Sequence, residues 1–346
     1  MRRPLLTALL FCSLGLTTQA QVKNIVFEGA GIRGIAYSGV ISELERSGTL
    51  NHVEKVGGTS AGAITALLLC LGYSSSEITS IVHHTPFKKF NEGRFLFPGG
   101  IHRLRKYYGW YHGEKIEKWL EDIIEAKTGN AAITFRELHE QGYKDLYITG
   151  TCLNKQRLVV FSHETYPAMK VRDAVRVSSS IPLYFEPLFL DSTGRVIKHP
   201  GNTGDLDIMV DGGFTANFPI RIFDSTRYTD SAGPNAYAVN PHTIGFRIDS
   251  KEQISSDKAG TGLASITVSR FNHYMRAFYT LIIEQLNRQA LTPADWERTV
   301  YINDGQVGPR IRKLSGQEVT VLINNGAMAT RNYLTAKQGS PQHLSE

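Results

Sequence analysis

A serine framed by glycines, Gly58-Thr59-Ser60-Ala61-Gly62, sits where a short strand-forming run, Val53 to Val56, gives way to a small apolar helix, Ala63 to Leu71. A G-x-S-x-G at such a junction is a nucleophile elbow: the glycines permit a very tight turn, and the turn lifts the serine hydroxyl clear of the sheet. The helix that follows aims free N–H groups and the positive end of its dipole at the serine. Ser60 is therefore the candidate nucleophile, with Gly58 and Gly62 as the flanks of its turn. The same letters also serve as a glycine-rich turn that only closes a β–α connection. The rest of the chain has to decide between the two.

The preceding segment repeats the theme. Val22 to Phe27 reads as a buried strand, Glu28-Gly29-Ala30-Gly31-Ile32-Arg33-Gly34 as a glycine loop, and Ile35 to about Arg46 as an apolar helix stopped by Gly48 and Asn51. Gly29-x-Gly31-x-x-Gly34 also fits the dinucleotide fingerprint, which requires an acidic residue at the end of the next strand to hold the ribose. That strand ends in Lys55-Val56-Gly57-Gly58, with no carboxylate, and delivers the serine turn. A loop of backbone N–H groups beside a serine suits a developing oxyanion better than a pyrophosphate.

Composition narrows the setting. Arg2 and Arg3, the apolar Leu5 to Leu16 and the small-residue site Thr18-Gln19-Ala20 read as a secretory signal peptide over residues 1–20, with an uncleaved anchor as the lesser reading. Export to the periplasm, the cell surface or the medium follows. The formal charge is +6, or +4 without Arg2 and Arg3, too mild a bias for a nucleic-acid binder. Cys70 and Cys152 lie in apolar segments and read as buried thiols rather than a disulfide. No CxxC pair or HExxH supplies metal-ligand spacing, so neither a metal nor another cofactor is expected.

From His83 to His112, Phe87, Phe90, Phe95, Phe97, Tyr107, Tyr108, Trp110 and Tyr111 alternate with lysines and arginines. That mixture suits a membrane–water interface, and equally the aromatic cover of an active site. Ile116, Trp119, Leu120, Ile123 and Ile124 recur at helical spacing, and Thr134 with Glu137 forms a capping box. Leu146 to Leu153 and Arg157 to Phe161 read as strands, Met169 to Ser178 as a helix, and Asp191 to Leu206 as a loop or hairpin insertion. Asp207-Ile208-Met209-Val210-Asp211-Gly212-Gly213 then reads as a strand ending in a carboxylate. At the C-terminal end of a parallel strand Asp211 would stand on the ligand-binding edge of an α/β sheet; as Asp before Gly it could equally cap its own turn. Beyond it come a strand over Thr243 to Ile248, a polar and mobile stretch over Ser250 to Thr261, and a helical pattern from Leu263 to about Leu291. A last strand, Thr299 to Ile302, precedes a final helix capped by Ser315 and Glu318 and running to about Leu334; residues 337–346 read as a disordered tail. No repeat or linker divides residues 21–336.

The glycine loop at 29–34, the serine elbow at 58–62 and Asp211-Gly212-Gly213, in that order, resemble the patatin-like phospholipase family of lipid acyl hydrolases. Arg176 to Phe185 (RVSSSIPLYF) and Asn217-Phe218-Pro219 extend the resemblance, which covers Asn24 to about Leu334. It implies a three-layer α/β/α sandwich around a mostly parallel sheet. It further implies a Ser60–Asp211 dyad without histidine, an oxyanion loop at Gly29, Ala30, Gly31 and Arg33, and a lipid or membrane-surface substrate. Glu28 stands where the family often has Asp, and Ala30 where it has glycine, so Ala30 must hold a negative φ. Two other readings remain open. One is a Ser-Asp-His triad using His242 or His273; the other is a secreted lipid-binding protein on the same scaffold. An acyltransferase would use the same residues with another acceptor.

Overall fold

The computed structural model describes residues 21–85, 87–91, 98–198, 200–201, 203–224, 239–309 and 312–339. Residues 1–20, where a signal peptide is expected, Phe95 and Phe97, and residues 340–346 lie outside them.

Strands β1 (Asn24–Phe27), β2 (Lys55–Gly58), β3 (Gly109–Tyr111), β4 (Asp145–Cys152) and β5 (Arg157–Phe161) come first. They are followed by β6 (Leu183–Phe185), β7 (Leu188–Leu190), β8 (Asp207–Asp211), β9 (Thr243–Asp249) and β10 (Thr299–Asn303). The helices of the first half are α1 (Ala36–Arg46), α2 (Ala61–Cys70), α3 (Ser75–His84), α4 (Pro98–Tyr107), α5 (Glu114–Thr128) and α6 (Phe135–Glu140). Those of the second half are α7 (Val171–Ser178), α8 (Gly213–Ala216), α9 (Lys251–Ala259), α10 (Phe271–Gln289), α11 (Pro293–Glu297) and α12 (Gly316–Gly339).

Eight strands form one mixed sheet in the order β10-β9-β1-β2-β4-β8-β7, with β5 also paired to β4; β3 and β6 form a separate ribbon. The five strands from β10 to β4 run parallel. Helices cover both faces, as an α/β/α arrangement requires. Alternation along β1 shows it: Ile25 and Phe27 enter the main core with α1 and α2, while Val26 packs with Tyr147 and Phe223 on the other face. Cys70 and Cys152 are free and buried, and Cys70 Sγ contacts the Lys144 carbonyl oxygen.

The structure corrects several expectations. β8 pairs antiparallel with β4, not parallel as its position implied. The Ser250 to Thr261 stretch is not loose: Ser250 caps α9, accepting from the Gln253 N–H at 3.2 Å. Helix α10 begins only at Phe271, and α12 continues to Gly339, through residues 337–339 expected to belong to the tail. The aromatic segment after His83 turns partly inward, with Phe87 and Phe90 packing against Trp119. Two short strands, β6 and β7, carried no signal of their own.

Candidate active site

Parallel strands β1 and β2 end level with each other, Phe27 opposite Gly58, and each feeds a tight turn into a helix. Ser60 sits between β2 and α2 with φ of +52°, a conformation L-residues avoid unless the surroundings impose it. The surroundings do so by close approach. A Cβ on Gly58 would stand 2.4 Å from Gly62 backbone atoms, and one on Gly62 would stand 2.3 Å from the Phe27 carbonyl oxygen. Both glycines are thus dictated by contact between turn and neighbouring strand. The Ser60 N–H donates to Ser178 Oγ at 2.9 Å, and Thr59 Oγ1 lies 2.6 Å from Thr149 Oγ1 and donates to the Ala216 carbonyl at 2.7 Å. Sequence patterns gave no hint of Thr59, Thr149 or Ser178 as supports, because each acts across a long loop.

Asp211 reaches the same edge by a different route. β4 extends beyond β2, so the last residue of the antiparallel β8 pairs with Gly150, two residues past Ile148, which faces Gly58. The structure brings Asp211 and Ser60 together: the Ser60 hydroxyl lies near enough to the Asp211 carboxyl to favour its charged form. The Gly213 N–H donates to Asp211 Oδ1 at 2.8 Å, and the Asp211 N–H donates to the Ser180 carbonyl at 2.9 Å. Gly212 presses on β4, where a Cβ would meet Thr149 Oγ1 at 2.4 Å. Burial pushes the Asp211 carboxyl up to about 7, against the opposing pull of the Gly213 N–H and the Ser60 hydroxyl.

The glycine loop packs directly on the serine, with a Cβ at Gly29 falling 3.3 Å from Ser60 Cβ. Ala30 has φ of −130°, so its side chain costs no strain there, whereas Gly31 has φ of +56° and lies against the Pro309 carbonyl. The expected donors are not equivalent. The Gly29 N–H is already engaged, donating to the Asn217 carbonyl at 2.9 Å, and so has no proton to offer an oxyanion. The Arg33 guanidinium is turned to the Ala30 carbonyl (3.3 Å) and Asp304 (3.6 Å), and its N–H also returns to Ala30, so Arg33 braces the loop. Among the described residues the N–H groups of Ala30 and Gly31 have no partner.

Asn217 staples loop to motif. Its side chain donates to the Gly29 carbonyl at 3.1 Å, and its backbone N–H donates to Asn287 Oδ1 at 2.6 Å. Glu28, buried beneath, faces Arg247 at 2.9 Å and accepts from the Ile248 N–H at 3.1 Å. Burial raises its pKa against the pull of the Arg247 guanidinium, and repulsion from the neighbouring Asp249 and Glu284 carboxylates adds to the rise. Glu28 therefore joins the loop to β9 and does not face the serine.

An apolar cleft opens from Ser60 and Gly31 and is walled by Ile35, Ile64, Leu68, Phe90, Trp119 and Phe185. The histidines of a conventional triad are elsewhere. His242 Nδ1 lies 2.7 Å from the Gln21 carbonyl at the opposite edge of the sheet, and His273 Nδ1 lies 3.1 Å from Ser269 Oγ. His139, Asp145 and His163 gather their ligand atoms within 4.8 Å and could hold a metal ion, a grouping local spacing did not reveal. Asp145 pairs with Lys55 at the far end of β2, so that group is remote from Ser60. Its two imidazoles also stack face to face at 4.0 Å, which directs their in-plane lone pairs side by side instead of at one point.

Residues 25–224 match the family described as patatin-like phospholipase. The chain is 34 % identical over 212 residues to the uncharacterized protein YqhO of Bacillus subtilis, covering 58 % of this chain and 67 % of that one. It is 29 % identical over 201 residues to the probable lipid hydrolase 463L of Invertebrate iridescent virus 6, covering 58 % of this chain and 62 % of that one. Among solved structures, VipD from Legionella pneumophila superposes with a TM-score of 0.54 at 16 % identity, over 92 % of this chain and 67 % of that one, a likeness of fold. The matched part thus spans about two thirds of each of these proteins.

Proposed function

The chain belongs to the patatin-like phospholipase family, and on that premise we propose that it is a serine lipid acyl hydrolase working through a Ser60–Asp211 dyad. The observation that carries the reading is the buried carboxyl of Asp211, set beside the Ser60 side chain and pushed up to about 7. An ordinary aspartate, with a pKa of about 3.9, is a poor proton acceptor at neutral pH; this one is matched to the task.

In the proposed sequence Asp211 takes the Ser60 hydroxyl proton as Oγ attacks the acyl carbonyl, and the carbonyl oxygen becomes an oxyanion. The free N–H groups of Ala30 and Gly31, with the N-terminus of α2, are suited to receive that charge. Collapse returns the proton from Asp211 to the departing alcohol oxygen and leaves an acyl ester on Ser60. Water, deprotonated by the same carboxylate, then attacks that ester; the fatty acid leaves and the serine recovers its proton. The apolar cleft beside Ser60 suits an alkyl chain, and Asp211 is itself buried from water.

The test is twofold. A fluorophosphonate should label the wild-type chain at Ser60 and leave Ser60→Ala unlabelled. Fatty-acid release from phospholipid should vanish in Ser60→Ala and in Asp211→Asn. Labelling without release, with acyl transfer to an added alcohol, would convert the proposal to an acyltransferase; neither labelling nor release would leave a lipid-binding protein. The leader at 1–20 is proposed as an export signal, which N-terminal sequencing of the mature protein beginning at Gln21 would support.

A further inference from the structure

Helix α10 is fixed at one end and bare at the other. Its last turns are tied to the candidate site: Asn287 accepts from the Asn217 N–H and donates to the Gly213 carbonyl at 3.1 Å. Glu284 and Arg288 grip the end of β9 through Arg247 and Asp249. Its first three turns carry Phe271, Tyr274, Met275, Phe278, Leu281 and Ile282, all exposed, Phe271 to 78 % and Leu281 to 54 %. The spacing 0, 3, 4, 7, 10, 11 places them on one helical face. Val268, just before the helix, is exposed as well. Among the described residues no other stretch exposes so many large apolar side chains.

We propose that this face of α10 is the surface by which the protein lies on a lipid membrane, holding the Ser60 edge of the sheet against the interface. Three observations select lipid as the occupant. The face is built on the helix that buttresses the Asp-Gly-Gly turn, so whatever it rests on is brought to the edge that carries Ser60 and Asp211. With aromatic side chains of 150–250 Å² each, the six together offer roughly 600 Å², as large as the largest patch of an ordinary monomer and short of the about 800 Å² per partner of a stable protein interface. Aromatic rings and a tyrosine flanked by the exposed cation Arg270 match the acyl–headgroup boundary. Among the described residues no helix is long and apolar enough to cross a membrane, so the contact is of a helix lying in the interface plane. The use of the surface rests on the lipid-ester reading of Ser60; the binding itself does not.

The experiment uses the full mature chain carrying Ser60→Ala, so that vesicles stay intact, and vesicles of equal parts phosphatidylcholine and phosphatidylglycerol. The triple variant Phe271→Ser, Phe278→Ser, Leu281→Ser should weaken co-sedimentation about tenfold or more. In the Ser60 background the same triple variant should lose turnover of phospholipid vesicles but keep turnover of soluble p-nitrophenyl butyrate. Phe278→Trp should add fluorescence that brominated-chain vesicles quench beyond the parent's own tryptophans. Vesicle binding unchanged in the triple variant, or no added quenching, overturns the proposal. So does a wild-type dimer in solution that the triple variant merely dissociates, which would assign the face to a second copy. If Ser60→Ala left ester turnover intact while vesicle binding still followed α10, the catalytic reading would fail and the docking surface would stand.

Discussion

A cluster of three carboxylates and the single carboxylate of Asp211 lie along the same edge of the sheet, and they differ in whether a cation faces them. Glu28, Asp249 and Glu284 surround the buried Arg247 guanidinium, each at 2.9 Å, and Arg288 adds a second cation at 2.6 Å from Asp249. Asp249 is held below the ordinary carboxylate range by those cations. Asp211, a few strands away, has only the Gly213 N–H and the Ser60 hydroxyl to offset its burial, and its carboxyl rises to about 7. Neutralised charge fastens β9, the glycine loop and α10 to one another. Burial raises both Asp211 and Glu28, but Glu28 faces a guanidinium. Asp211 instead joins a proton affinity near neutrality to a place beside the serine hydroxyl, which is what a base must have.

The sharpest way to break this contrast is to remove chemistry from one group and structure from the other. Ser60→Ala should lower kcat/KM for p-nitrophenyl butyrate by about 10⁴-fold or more, and Asp211→Asn by about 10²–10⁴-fold, the range of a positioned general base. Both variants should remain folded by circular dichroism. Arg247→Met should do the opposite, costing about 3–5 kcal/mol in urea unfolding because it strands buried carboxylates without their cation. Equal activity losses in Asp211→Asn and in a folded Arg247→Met sample would dissolve the distinction.

pH sharpens the same contrast. As a base Asp211 must be ionised, so kcat/KM should climb about tenfold per pH unit below about 7 and flatten above it. Stability should move the other way. A carboxyl whose pKa is higher folded than unfolded favours the fold most below its unfolded value, and that contribution is lost as pH rises through about 7. Asp211→Asn keeps an oxygen for the Gly213 N–H without the charge. It should melt a few degrees above wild type at pH 8 and lose that margin near pH 4. A pH–rate profile flat between pH 5 and 8 would remove Asp211 from the proton path.

Much of the edge was legible in the letters because its signals are local. The elbow, the glycine loop and Asp-Gly-Gly each occupy a few consecutive residues at the end of an apolar run. What was not legible depends on partners far along the chain. DIMVD reads the same in either strand direction, and only its pairing with the C-terminal half of β4 makes β8 antiparallel while still bringing Asp211 to Ser60. Gly29 looks like a donor until Asn217, 188 positions on, is found touching its backbone. Helical periodicity located α10 but could not say that half of its apolar face is uncovered, since the pattern reports a face and not its neighbour.

The smallest expected effect bears on the rival arrangement. A Ser-His-Asp triad needs an imidazole within hydrogen-bonding reach of the serine hydroxyl, and both candidate histidines are bonded elsewhere. His242 opens β9 and touches Gln21 before β1; because β1 and β9 run parallel and in register from Asn24 and Thr243, it stands at the end of the sheet opposite Ser60. His273 is in the first turn of α10, bonded to Ser269. His242→Ala and His273→Ala should therefore each leave ester turnover within about twofold of wild type, against the 10⁴-fold scale of a lost triad member. A collapse in either variant, with the fold intact, would mean that a loop movement carries the imidazole to Ser60, and Asp211 would then orient a histidine instead of taking the proton itself.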